Sequence, residues 1–147
     1  MPLVLRAVVL TLALTPTAPL LEAGVVGYEK TPDGVAAETA GGRLKLAVCS
    51  ERAVRVLFTL RDGPPPAPSL AVVHPCEGFR GFTVRETKAA VSVVTRRLEA
   101  RLDRRTGSVS FHDPAGRNLL AETAGGRSRV AADVLGQKTH HAEQRFD

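Results

Sequence analysis

The chain holds few side chains suited to chemistry, and their spacing brings none of them together. His74 precedes Cys76 by two residues, and His140 and His141 are adjacent. Neighbours on a strand project to opposite faces, so that pair cannot converge on one ion without an irregular backbone. Zinc needs three or four converging ligands, and these histidines read as loop or solvated residues. No Ser-His-Asp arrangement and no G-x-S-x-G elbow occurs, and Gly41-Gly42 lacks the strand–glycine–helix context of a phosphate loop. Asp62, Asp103, Asp113 and Asp133 fall in turns or at strand ends and read as turn and surface residues. Cys49 and Cys76 have two outcomes: two free thiols, or a bridge that stabilises by about 3–4 kcal/mol on the chain-entropy model. No catalytic, cofactor-binding or metal-binding residue is assigned.

The elements that carry these residues follow period two. Leu98, Ala100 and Leu102 alternate with Glu99, Arg101 and Asp103, as in a half-buried strand. Val91, Val93 and Thr95 alternate in the opposite phase. A slip of one residue would turn the core face outward, so a bulge or break near Arg96-Arg97 must absorb it. Arg104-Arg105-Thr106-Gly107 makes a reversal, and Val109 and Phe111 resume the alternation. Asp113-Pro114-Ala115-Gly116 makes another, with Pro presetting φ and Gly accepting a positive φ.

This spacing predicts strands over 25–30, 34–39, 43–49, 53–60, 69–73, 80–86, 90–95, 97–103, 107–112 and 117–122. Further extended segments are expected over 128–135 and 142–147. Leu44, Leu46 and Val48 share one face, as do Val54, Val56, Phe58 and Leu60. The run Gly63 to Pro68 cannot donate a regular ladder and reads as an extended loop within one domain. Ala40-Gly41-Gly42-Arg43 and Ala124-Gly125-Gly126-Arg127 read as two flexible turns. Ten prolines and thirteen glycines between short alternating runs fit a single all-β, antiparallel sandwich.

Residues 1–23 read as a secretory signal. Arg6 precedes the apolar run Ala7 to Leu14, Pro16 and Pro19 interrupt the next stretch, and Ala23-Gly24 offers a cleavage point. That run is too short to span about 30 Å of hydrocarbon as a helix. The expectation is therefore a secreted or periplasmic protein with no membrane span, whose domain occupies 24–147. The formal charge of +5 says little about partners, because the basic residues interleave with apolar ones as on solvated strand faces. Nucleic-acid binding would also want aromatic platforms, and the chain has no Trp and one Tyr.

With its flanks, the meander resembles one family. The order Thr95, alternating strand, Thr106-Gly107, Phe111, Asp113, Gly116, Leu119-Leu120 and Glu122 is similar to the N-terminal β-sandwich of glycoside hydrolase family 31, the α-glucosidases, α-xylosidases and related α-transglycosylases. Thr31-Pro32-Asp33-Gly34-Val35, Arg43 to Val48 and Val54-Arg55-Val56 resemble the opening strands of that domain. Glu143 to Asp147 resembles the strand just before a Tyr-Gly-Leu-Gly-Gln-like motif.

The resemblance implies a galactose-mutarotase-like, incomplete sandwich that ends before the catalytic TIM barrel. It implies an α-linked oligosaccharide or glycoside as substrate of the full enzyme, and the chain's own barrel as partner. A retaining glycosidase needs two carboxyls about 5–5.5 Å apart. The resemblance places both on the barrel, so this chain is expected to be inactive alone and no cofactor is implied. Nothing in the resemblance calls for a bridge, so Cys49 and Cys76 read as unpaired thiols. The alternative is a stand-alone carbohydrate-binding module. Its aromatic candidates are Tyr28, Phe58, Phe79, Phe82, Phe111 and Phe146, of which Phe58 and Phe111 read as core.

Overall fold

The computed structural model describes residues 24–61, 76 and 78–147. The expected signal segment, the loop Gly63 to Pro68, the strand over 69–73, Asp62 and His74 lie outside them. The described residues form ten strands and no helix. Strands β1 (Val25–Thr31), β2 (Gly34–Thr39), β3 (Gly42–Ser50) and β4 (Ala53–Leu60) make a four-stranded sheet in sequence order. Strands β5 (Phe82–Glu86), β6 (Ala90–Thr95), β7 (Glu99–Asp103), β8 (Val109–His112), β9 (Asn118–Val134) and β10 (Gln137–Phe146) make a six-stranded one. All pairings are antiparallel. The two meanders pack face to face as an antiparallel β-sandwich.

The core forms where the period-two patterns of the two sheets meet. Val35, Ala37, Leu44, Leu46 and Val48 from one sheet pack with Val91, Val93, Ala100, Leu102 and Val109 from the other, all buried. Val54, Val56, Phe58 and Phe111 pack around this cluster.

The phase change before Leu98 is a complete break. The chain turns between β6 and β7, pairing Val94 with Glu99 and Val93 with Ala100. The Thr95 hydroxyl holds that turn by accepting hydrogen bonds from the N–H groups of Arg97 (3.1 Å) and Leu98 (2.9 Å). It also reaches the Glu51 carbonyl at 2.7 Å, joining this hairpin to the β3–β4 turn in the opposite sheet. Gly34 is required by crowding: at φ 155°, an added Cβ would lie 1.9 Å from the Leu46 carbonyl oxygen.

Two expectations are corrected. Ala124 to Arg127 is no free turn, because β9 runs through it and unites the segments expected at 117–122 and 128–135. The β9–β10 register jumps there, with Gln144 opposite Arg127 but Phe146 opposite Glu122. Residues 123–126 thus form an irregular bulge, and Gly125 accepts its φ of 68°. The bulge lets β9 continue beyond the sandwich, and β10 begins earlier than expected, at Gln137. The cysteines are also paired: Cys49 and Cys76 form a disulfide. Spacing could not reveal this, because sequence separation gives no distance between a residue on β3 and one that lies between β4 and β5.

Facing on β7 gives a direct test. Leu102 is fully buried, whereas the Arg101 side chain is 42% exposed and reaches Glu99 at 3.3 Å. Leu102→Asp should destabilise by about 2 kcal/mol or more, and Arg101→Gln by under about 0.5 kcal/mol, in urea unfolding followed by circular dichroism. Equal losses would contradict this register.

Candidate functional site

Polar side chains gather where β9 leaves the sandwich. Glu122 stands one residue beyond the Ser110–Ala121 pair, against buried Val109 of β8. It is 6% exposed. One carboxylate oxygen accepts from the Val109 N–H at 3.0 Å and from the Arg127 guanidinium, and the other accepts from the Gln144 amide at 3.0 Å. One carboxylate therefore ties β8, both sides of the bulge in β9, and β10. Burying an ion is tolerable only with such full pairing.

Arg127 and Arg129 share a face of β9, and each guanidinium lies over the Phe58 ring of β4, 5.4 Å from its centroid. Such cation–π contacts hold the base of the β9–β10 hairpin against the other sheet. With Thr39, Leu60 and Ser108, these residues line a cleft of about 200 Å³. Its acid is ion-paired and its aromatic ring is covered, so the cleft works as a clasp. Tyr28 is covered in the same way, with the Arg104 guanidinium 5.8 Å from its centroid. A hydrogen bond to Glu86 and burial raise the Tyr28 hydroxyl above its ordinary pKa, opposed by Arg104.

Asp103, Asp113 and Asp133, the described acidic residues among those singled out in the sequence, lie apart and serve turns. The Asp103 carboxylate accepts from the N–H groups of Arg105 (3.0 Å) and Thr106 (2.8 Å) and from the Thr106 hydroxyl (2.9 Å). Burial alone would raise its pKa, but these bonds outweigh it and hold the group below the usual carboxylate range. Asp113 is lowered by the N–H of Arg117 foremost, then by that residue's charge and the N–H of Ala115. Asp133 accepts from the Gly136 N–H at 2.9 Å in the β9–β10 turn.

Asp33 and Glu99 are likewise depressed. Burial opposes the effect, but Lys45 and Thr31 outweigh it at Asp33, and Ser92 and Arg101 do so at Glu99. A general acid at neutral pH needs the opposite shift. His140 and His141 are exposed on opposite faces of β10, facing Ala131 and Val130 across the ladder. Among the described residues, no group of three or more His, Cys, Asp or Glu converges as a metal site. The sequence reading placed Glu122 on a strand but missed its burial, and its phase with Leu120 gave no such signal, because Leu120 is itself 39% exposed.

No family model matches the chain, and no curated protein does. Among solved structures, a family 31 α-xylosidase from Xanthomonas citri matches 80% of the chain at 33% identity with a TM-score of 0.68. The sandwich is that of glycoside hydrolase family 31. A family 31 dextranase from Flavobacterium johnsoniae, complexed with isomaltotriose, shares the fold over 74% of the chain at 19% identity and a TM-score of 0.64. The cycloalternan-forming enzyme of Listeria monocytogenes, in complex with a pentasaccharide substrate, shares it over 71% at 18% identity and a TM-score of 0.56. The chain spans 13%, 14% and 10% of these three enzymes.

Two measurements check this site. Glu122→Ala strips the partner from the Val109 N–H and leaves Arg127 unpaired, so it should cost about 3 kcal/mol in urea unfolding. Arg145→Ala breaks only an exposed pair with Glu143 and should cost under about 0.5 kcal/mol. A cost at Glu122 no larger than at Arg145 would refute the clasp.

The second measurement is acid unfolding. A depressed Asp103 stabilises the fold fully above its unfolded pKa near 3.9 and loses that contribution as pH falls through the lower folded value. Asp103→Asn should therefore flatten the loss of stability as pH falls below about 4. An unchanged acid limb would show that this turn does not contribute.

Proposed function

We propose that the chain is the N-terminal, non-catalytic β-sandwich region, residues 24–147, of a family 31-like α-glycosidase, exported by its first 23 residues. It packs on the catalytic barrel and shapes the rim of the pocket that receives an α-linked glycoside. The observation that carries this reading is the α-xylosidase match, which covers most of this chain and only 13% of that enzyme.

The β9–β10 arm supports the packing role. Beyond the clasp its two strands pair with each other, and Val130, Val134 and Leu135 are 60%, 56% and 99% exposed. Leu135 also adopts a φ of 53° at the tip, a backbone conformation unfavourable for a branched apolar residue. Exposed apolar surface on a two-stranded ribbon is stable chiefly when another surface covers it, and the barrel is the surface assigned here. In the intact enzyme the barrel's two carboxyls perform the substitution at the anomeric carbon. The sandwich contributes position and exclusion of water.

Sequencing the DNA beyond Asp147 tests the reading. It should continue in frame into a barrel, and a stop codon there would overturn it. The chain alone should not hydrolyse aryl α-glucosides or α-xylosides, whereas the extended polypeptide should. Turnover by the isolated chain that mutation within it abolishes would contradict the non-catalytic role.

A further inference from the structure

A single connection, between β4 and β5, joins the two sheets along the chain. It starts at one edge of the four-stranded sheet. It ends on β5, the edge strand of the other sheet, near β1, where Arg104 links Glu86 of β5 to Tyr28 of β1. Three contacts among the described residues hold the end of this connection that leads into β5. Cys76 is bonded to Cys49 on β3, Phe79 packs on the core, and the Arg80 guanidinium donates to the Pro32 carbonyl at 3.1 Å. The disulfide is the one covalent anchor among these contacts. It closes a 27-residue span that includes all of β4. Both cysteines are half-buried, within reach of small thiol reagents.

We propose that Cys49 and Cys76 form a redox-controlled staple, which fixes the residues leading into β5 to strand β3 only in an oxidising compartment. The bond forms by thiol–disulfide exchange with a disulfide donor. One cysteine thiolate attacks the donor and expels a thiolate, and the second cysteine displaces the other. The two cysteines lose two electrons and two protons in total, and the donor leaves as two thiols. A dithiol reductant reverses the step and releases Cys76, leaving the residues just before β5 held by Phe79 and Arg80. This inference rests on the connection between the sheets and is independent of the glycosidase reading.

The full chain, made in the bacterial cytosol or directed to the periplasm, tests this by maleimide labelling and limited trypsin digestion. The periplasmic protein should carry no reactive thiol and the cytosolic protein two. Treating the periplasmic protein with dithiothreitol should speed cleavage at Arg61 and Arg80 about tenfold or more, while cleavage at Arg101 in β7 serves as the internal reference. The Cys49→Ser/Cys76→Ser chain should cleave at the faster rate with or without reductant. Should that variant not accumulate, reduction of the native chain reads the same quantity. Two reactive thiols in the periplasmic protein, or equal cleavage with and without reductant, would overturn the proposal.

Discussion

The fold depends on one constraint: strands β3, β6 and β7 must each present the correct alternate residues to a shared dry layer. Leu44, Leu46 and Val48 fill one side, and Val91, Val93, Ala100 and Leu102 the other, all buried. Because side chains on a strand repeat every two residues, no partial slip is tolerated. The polar devices around the core enforce that phase. The Thr95 hydroxyl converts a forbidden slip into a turn, and Asp103 closes the next turn before Val109 resumes the pattern.

Where strands bury one face and end in a recognisable turn, the sequence predicted them well. Val25–Thr31, Gly34–Thr39, Ala53–Leu60 and Ala90–Thr95 fall within a residue of their expected limits. The errors lie where tertiary context overrides a local signal. Gly125-Gly126 has the composition of a reversal, yet pairing with β10 on both sides keeps the chain extended and turns the glycines into a bulge. The disulfide was misread because its partners belong to a contact between β3 and a residue that lies between β4 and β5, for which sequence spacing supplies no distance. Glu122 is the subtlest miss: its burial depends on Arg127 and Gln144, which reach it only across the bulge.

The acidic side chains show what carboxylates do within this sandwich. Asp33, Glu99, Asp103 and Asp113 are held ionised by backbone donors, hydroxyls and cations within the sandwich itself. A carboxylate committed in this way steadies a turn or strand edge, and changing its protonation would loosen what it holds. Catalytic carboxyls need the reverse, a charge state poised to change.

Every paired strand neighbours the strand next to it in the chain, in both sheets. Short-range pairing of this kind closes small loops first and avoids the entropic cost of distant searches. The four-stranded sheet can therefore assemble from its own residues while later ones are still emerging from a ribosome. The second meander can then add strand by strand, and β10 comes last, at its outer edge. Growth from one end to the other makes the sandwich suited to vectorial synthesis, each formed strand serving as template for the one after it.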